Sequence, residues 1–312
     1  MADSKPARFH LRLGANQPAE SPTARRLAEM AAAIRAETDG ECRVDVFPES
    51  RLGPDPQMFA DLNSGTIELY LSGALLGGVA PTSALPLMPF VYRDSTAVFA
   101  TLDGALGDII RAEIAAAGLY AFRRSWQNGF HHLTNGVRPI EKAADFRGIK
   151  IRTPGGDIAA DFFGTLGAEP GMVPFSGMYD ALKAGRFDGQ SDPLGVVLSL
   201  RLYEVQRYLS LTAHWWTGFT LLAHAGKWQA LPAAIRAVID RNADKFALLQ
   251  RADIEAVNAG GAAALAGHGM AVNTADAGDI RAGLGDFYRR WKAKSDPAAW
   301  ALLEQAAGGL PA

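Results

Sequence analysis

Along Arg8–Ala15 apolar and polar residues alternate, Phe9, Leu11 and Leu13 against Arg8, His10 and Arg12, the period-two signature of a strand. Ser21-Pro22 then opens a helix, with Ser21 as its cap and Leu27, Met30 and Ile34 on one stripe. Cys42–Phe47 reads as a second strand with Val44 and Val46 inward, Asp55 to Leu62 as a short helix, and Ile67–Leu71 as a third strand. This βαβαβ order predicts a parallel sheet with helices on its faces. Ala80–Phe90 is apolar but too rich in proline for a helix, whereas Ser95–Ala117 keeps the helical period through Val98, Leu102, Leu106, Ile110 and Ile114.

Leu119–Ser125 is a strand that runs on through Thr134 without a stop, too long for one sheet, and suggests a crossover between domains. The pattern then restarts. Ile149–Thr153 alternates, followed by a helix over Asp157–Leu166, an extended stretch Glu169–Phe175, a short helix Gly177–Ala184, a strand ending within Phe187–Pro193 and a helix near Gly195–Val205. Tyr208–His224 is a second overlong β-like run and the expected return crossover. Pro232 starts a long amphipathic helix that is expected to end at Gly260-Gly261, and a last helix carries Ile280, Leu284, Phe287 and Trp291. Two α/β lobes hinged by two extended crossovers follow, with the carboxyl ends of both sheets collected in a cleft suited to a small ligand.

Composition narrows the function. With 312 residues, 48% hydrophobic and 21% charged, the chain can fill two cores, and a net charge of -2 gives no basic bias toward nucleic acid. No apolar run reaches the length of a membrane span. The start, Met-Ala-Asp-Ser-Lys-Pro, shows no apolar signal core, which fits either a cytoplasmic protein or numbering that begins at a mature or engineered terminus. Cys42 is the single cysteine, and the 6 histidines lack zinc spacing; His131 and His132, being adjacent, point to opposite faces of a strand and cannot share one ion. Phosphate loops and Gly-x-Ser-x-Gly turns are absent. Asp188 and Asp192 flank Gly189-Gln190, a carboxylate pair with no partner nucleophile beside it. The informative stretch is Phe146–Gly156, FRGIKIRTPGG, which sets Arg152 at the carboxyl end of a strand before a Pro154-Gly155-Gly156 turn. A guanidinium there can grip a carboxylate, or pair with a surface acid.

In this order the motifs resemble those of the extracytoplasmic solute-binding subunits of tripartite ATP-independent periplasmic (TRAP) transporters, the DctP type. The resemblance rests on LGANQP (Leu13–Pro18), VFPESRLG (Val46–Gly53), LPLMPFVYRD (Leu85–Asp94), NGFHHLTNGVRPI (Asn128–Ile140), FRGIKIRTPGG, PFSGMYDALKAGRFDGQSDPL (Pro174–Leu194) and LYEVQRYLSLTAH (Leu202–His214). It implies a two-lobed periplasmic-binding-protein-like α/β fold. Each lobe is a mixed, mainly parallel sheet flanked by helices, with two extended crossover strands and a long helix contacting both. The lobes are expected over 8–129 plus 216–256 and 130–215 plus 257–305, with 1–7 and 306–312 as poorly ordered tails. A periplasmic monomer is implied that binds an organic acid without catalysis, cofactor or metal and presents it to membrane permease subunits. It is not itself inserted in the membrane, its signal peptide being absent from this sequence.

The resemblance also assigns residues. Arg152 matches the arginine that grips the ligand carboxylate, Phe175 an aromatic that packs on the ligand, and Asn16 a contact from the first lobe. Two positions depart from the pattern. The asparagine of Gly-Gln-Glu-Asn-Pro is Asp192 here, and the second arginine that many members carry after Asn-Gly-Phe is His131. Gly73 stands where some members carry a larger polar residue, and Trp215 or Trp216 with Tyr92 leaves room for a ring. The charge change favours a monoacid with hydroxyl or amino donors, such as a sugar acid, a hydroxy acid or a zwitterion, over a dicarboxylate, unless Asp192 turns away to cap the next helix. The alternatives are a ligand-sensing protein that feeds a receptor and a two-lobed enzyme using Asp188 or Asp192 with His131.

Overall fold

The computed structural model describes residues 6–153, 156–308 and 310. The Pro154-Gly155 part of the expected turn, 1–5 of the expected amino-terminal tail, and 309 and 311–312 lie outside the described residues. The strands are β1 (Phe9–Gly14), β2 (Cys42–Phe47), β3 (Leu69–Ser72), β4 (Leu119–Ala121), β5 (Trp126–Phe130), β6 (His132–Asn135), β7 (Lys150–Thr153), β8 (Glu169–Met172), β9 (Gly189–Asp192), β10 (Tyr208–Leu211), β11 (Trp216–His224) and β12 (Ala271–Thr274). The chain divides into two compact units, Met1–Ala80 with Ile110–Gln127 and Gly218–Ile254, and Pro81–Ile109 with Asn128–Thr217 and Glu255–Ala312. Residues 81–109 thus group with the second unit, where the sequence pattern put them with the first.

The first unit is built on a mixed sheet ordered β2-β1-β3-β11-β4. β1 is flanked by parallel β2 and β3, and β11 runs antiparallel between β3 and β4. Alternation along β1 buries Leu11 and Leu13 against Leu27, Met30 and Ile34 of the helix Pro22–Glu37. That helix starts where expected, because the Ser21 hydroxyl accepts the Ala24 N–H at 3.1 Å. β3 begins two residues later than the pattern suggests. Gly65 ends the helix Asp55–Ser64 in a left-handed conformation, and the Ile67 N–H turns back to the Asp61 carbonyl at 3.1 Å.

The second unit holds a mixed sheet ordered β12-β10-β6-β9-β7-β8. β7 lies parallel between β8 and β9; β6 runs antiparallel to β9 and β10. The two overlong runs are not single strands. Between β5 and β6 the chain bends near Gly129, whose φ of +126° excludes side chains and whose open face is filled by the Asn258 amide. Between β10 and β11 it turns at Ala213, φ +43°. The expected helix Ser95–Ala117 is likewise two, Ser95–Leu102 and Ala105–Ala116, separated at Asp103-Gly104, a pair with poor helix propensity.

The glycine pair at 260–261 does not end the long helix, which continues through Ala233–Gly267. A Cβ on Gly261 would lie 2.6 Å from Leu194 Cβ, so the glycine lets the helix lie against Leu194. A further helix, Pro297–Ala307, capped by Asp296 and burying Trp300 and Leu303, occupies ground read partly as tail. Among the described residues no helix is long and apolar enough to cross a membrane.

The glycine pair makes a paired prediction. Gly261→Ala should cost about 1–3 kcal/mol by overpacking despite better helix propensity. At Gly260 a Cβ meets nothing within 4 Å, so Gly260→Ala should gain up to about 1 kcal/mol. Urea midpoints of the two variants check the sign; equal stabilisation would show that Leu194 moves aside freely.

Candidate functional site

The parallel register of β7 on β9 pairs Arg152 with Gln190, and the antiparallel register of β9 on β6 pairs Asp192 with His132 and Gln190 with Thr134. Alternation therefore sends Arg152, Gln190, Asp192, His132 and Thr134 to one face of the sheet, and Ser191 to the other. Arg152 is 1% exposed. Its Nε donates to the Val173 carbonyl at 2.8 Å and its Nη1 to Asp192 Oδ2 at 3.4 Å. The arginine does pair with a protein acid, but with a buried one that is itself an expected ligand residue. Asp192 is not a helix cap: Leu194–Ser199 begins after Pro193 with no side-chain cap bond. Burial pushes the Asp192 carboxyl up to about 7 while the Arg152 charge pulls it back. Beside them Gln190 Nε2 donates to Thr134 Oγ1 at 2.9 Å, and Thr134 donates to Gln206 at 3.2 Å.

The opposite face carries a chain of hydrogen bonds whose direction is set by one carbonyl. His131 Nδ1 lies 3.0 Å from both the Ser191 carbonyl and its hydroxyl; the carbonyl only accepts, so Nδ1 carries the proton. Nε2 is then the acceptor, and the Thr217 hydroxyl donates to it at 2.8 Å while accepting from Asn128 Nδ2 at 3.1 Å. Ser191 Oγ and His214 Nε2 are hydrogen-bonded at 2.9 Å, and His214 Nδ1 and Thr212 Oγ1 at 2.7 Å. Burial holds His131 down at about 3 and His214 well below its usual range, so both rings are neutral. Both nitrogens of His131 are engaged with protein groups, and its ring leans on Trp215. It is a neutral strut between Ser191 and Thr217.

The aromatic residues divide by neighbour. Trp215 packs among Phe162, Phe163 and His214. Trp216 meets Phe99 edge-on at 5.7 Å, and its buried Nε1 has no hydrogen-bond partner among the described residues. Tyr92 is 5% exposed, with its phenol titration raised by burial. Phe175, half-buried, packs against the core of Met178, Leu182 and Leu194.

In the first unit Asn16 Nδ2 donates to Asp55 Oδ2 at 3.0 Å and Asn16 Oδ1 accepts from Gln17 at 2.7 Å. The Tyr70 hydroxyl holds the other Asp55 oxygen at 2.6 Å. A side chain at Gly73 would meet the Phe219 ring at 3.4 Å. The structure thus gathers Arg152, Asp192, His131, Trp215, Trp216, Tyr92 and Phe175 in the second unit, and Asn16 and Gly73 in the first. Val173, Ser191, His214, Thr217 and the Asp55–Tyr70 pair were not foreseen; of these only Ser191 had a signal, its alternation with Asp192.

The family model for bacterial extracellular solute-binding proteins, family 7 (DctP), matches residues 13–294. The chain belongs to this family. Among family-7 relatives, a 2,3-diketo-L-gulonate-binding periplasmic protein of Escherichia coli is 32% identical over 219 residues, 70% of this chain and 66% of its own length. The chain thus matches about two thirds of that relative. Among solved structures, the sugar acid binding protein DctPAm of Advenella mimigardefordensis in complex with galactonate superposes with TM-score 0.92 at 28% identity, over 97% of this chain and 99% of that one. A TRAP periplasmic solute binding protein of Polaromonas bound to D-erythronate gives 0.90 at 27%, over 97% and 100%.

The neutral histidines fix a sign for pH dependence. Their titration lies lower folded than the roughly 6.5 of an unfolded histidine, so the stability they contribute is whole above that value. It is lost as pH falls toward about 3. Asp192, raised when folded, acts in the opposite sense and loses stability as pH rises toward about 7. His214→Asn should therefore make stability less steep between pH 7 and 5, by about 2 kcal/mol relative to wild type. Urea titrations at the two pH values measure this; parallel slopes would mean that His214 is charged in the fold.

Proposed function

We propose that this chain is an extracytoplasmic binding protein that captures a small hydroxylated organic acid and delivers it to a TRAP membrane permease. The observation that carries the reading is the buried guanidinium of Arg152 at the carboxyl end of β7, facing Asp192 at the end of β9. The ligand carboxylate takes the guanidinium fork, and Asp192 hydrogen-bonds the hydroxyl or amino group on the carbon next to it. A second ligand carboxylate beside Asp192 would add another anion to a site with one fixed cation, whereas a hydroxyl can accept from or donate to Asp192 in either protonation state. Relatives bound to galactonate and D-erythronate support a hydroxylated monoacid. In the first unit Asn16 is oriented by Asp55 and Gln17. Closure of two lobes over the ligand, a periplasmic location and a monomeric state belong to the same reading.

Catalysis is disfavoured on geometry. Asp188 Oδ2 accepts the Lys150 N–H at 2.8 Å at the start of β7. Four residues of strand separate it from Asp192, roughly 13 Å, too far for a shared acid–base step. His131 has no free nitrogen to act as a base.

Because Arg152 is buried, Arg152→Ala would also remove packing and leave Asp192 alone, so Arg152→Lys is the cleaner test. Lysine keeps the charge without the fork. Affinity for D-galactonate, read by calorimetry, should fall about 10- to 100-fold while the chain stays folded. Unchanged affinity would move the carboxylate site elsewhere. In the wild type D-galactonate should bind at least tenfold more tightly than succinate; the reverse order would refute the charge argument.

A further inference from the structure

Two carboxylates cannot share one buried guanidinium without relief. Asp192 Oδ2 already lies 3.4 Å from Arg152 Nη1, and the two side chains are 8% and 1% exposed. A ligand carboxylate on the same fork lies within a few ångströms of Asp192, giving two anions and one cation in a dry site, an arrangement in which like charges drive one group to accept a proton. An ionised carboxylate has only acceptor atoms and cannot face another; a neutral carboxyl group gains an O–H donor.

We propose that capture of the ligand is coupled to protonation of Asp192, which then donates a hydrogen bond to the bound anion and so selects acids that place an acceptor there. This rests on the binding reading above. The balance is simple: one O–H bond forms on Asp192, its proton comes from solvent, and nothing is oxidised or reduced. The groups around Asp192 leave it as the proton acceptor. Arg152 on β7 is a permanent cation. His132, its register partner on β6, is pushed down to about 4 by burial and is neutral. Gln190 on β9 does not titrate. His131 and His214 lie on the other face of the sheet and are neutral, with both nitrogens of each bound to protein. Lys150 and Asp188 are at the far ends of β7 and β9. Burial also brings the free Asp192 carboxyl to about 7, so little further stabilisation of its neutral form is needed.

The test is calorimetry of the wild-type chain with D-galactonate and D-erythronate at pH 6 to 9, in phosphate and in Tris, whose ionisation enthalpies differ. Near pH 8 the apparent enthalpies in the two buffers should differ by the amount expected for close to one proton per ligand. Kd should weaken by about tenfold per pH unit above neutrality. In Asp192→Asn the amide is always a donor, and Kd should become flat with pH. Binding with buffer-independent enthalpy and a flat wild-type Kd would overturn the proton coupling while leaving the binding reading intact. Tighter binding of an amino acid zwitterion with no proton uptake would overturn it as well, by showing Asp192 ionised against an ammonium. If no organic acid binds at all, the functional reading fails, and the coupling with it.

Discussion

The site depends on a guanidinium held out of water. Burying Arg152 is tolerable because, among its contacts, its Nε donates to the Val173 carbonyl and its Nη1 faces Asp192, both positions being set by strands on either side of β7. Parallel pairing of β7 with β8 and β9 is therefore a requirement of the charge and not just of the sheet. Shift β9 by one residue and Asp192 would point to the opposite face, leaving a buried cation without its counter-charge.

The same strand serves both faces of the sheet. β9 alternates Gln190 and Asp192 on the Arg152 face with Ser191 on the back, where Ser191 bridges His131 and His214. Placing two neutral histidines behind the site gives rigidity without charge. A second arginine at the place of His131 would add a second fixed cation near the site.

Much of the fold was legible where local pattern and tertiary structure agree. β1, β2 and the helix Pro22–Glu37 follow directly from alternation, the Ser21 cap and Pro22, because each is fixed within its own few residues. The failures share a cause. Gly260-Gly261 reads as a helix end on propensity, but Leu194, far away in sequence, decides it. Gly129 and Ala213 break apolar runs that look continuous, since apolarity alone does not say where a backbone turns. Arg152 and Asp192 could each be set at a strand tip from sequence, the resemblance supplying their roles. Their contact could not, because it depends on β7 pairing with β9. For His131 the resemblance marked only the place of an arginine. The Ser191 carbonyl, invisible in any motif, makes it a neutral strut.

That carbonyl has a consequence for how the two faces of β9 divide their work. The bonds from Ser191 on the rear of the sheet hold His131 and His214, whereas Asp192 on the front supplies the counter-charge of Arg152. Anchorage and charge balance fall to alternate residues of one strand, so a neutral residue at 192 would keep the rear contacts and leave the guanidinium uncompensated.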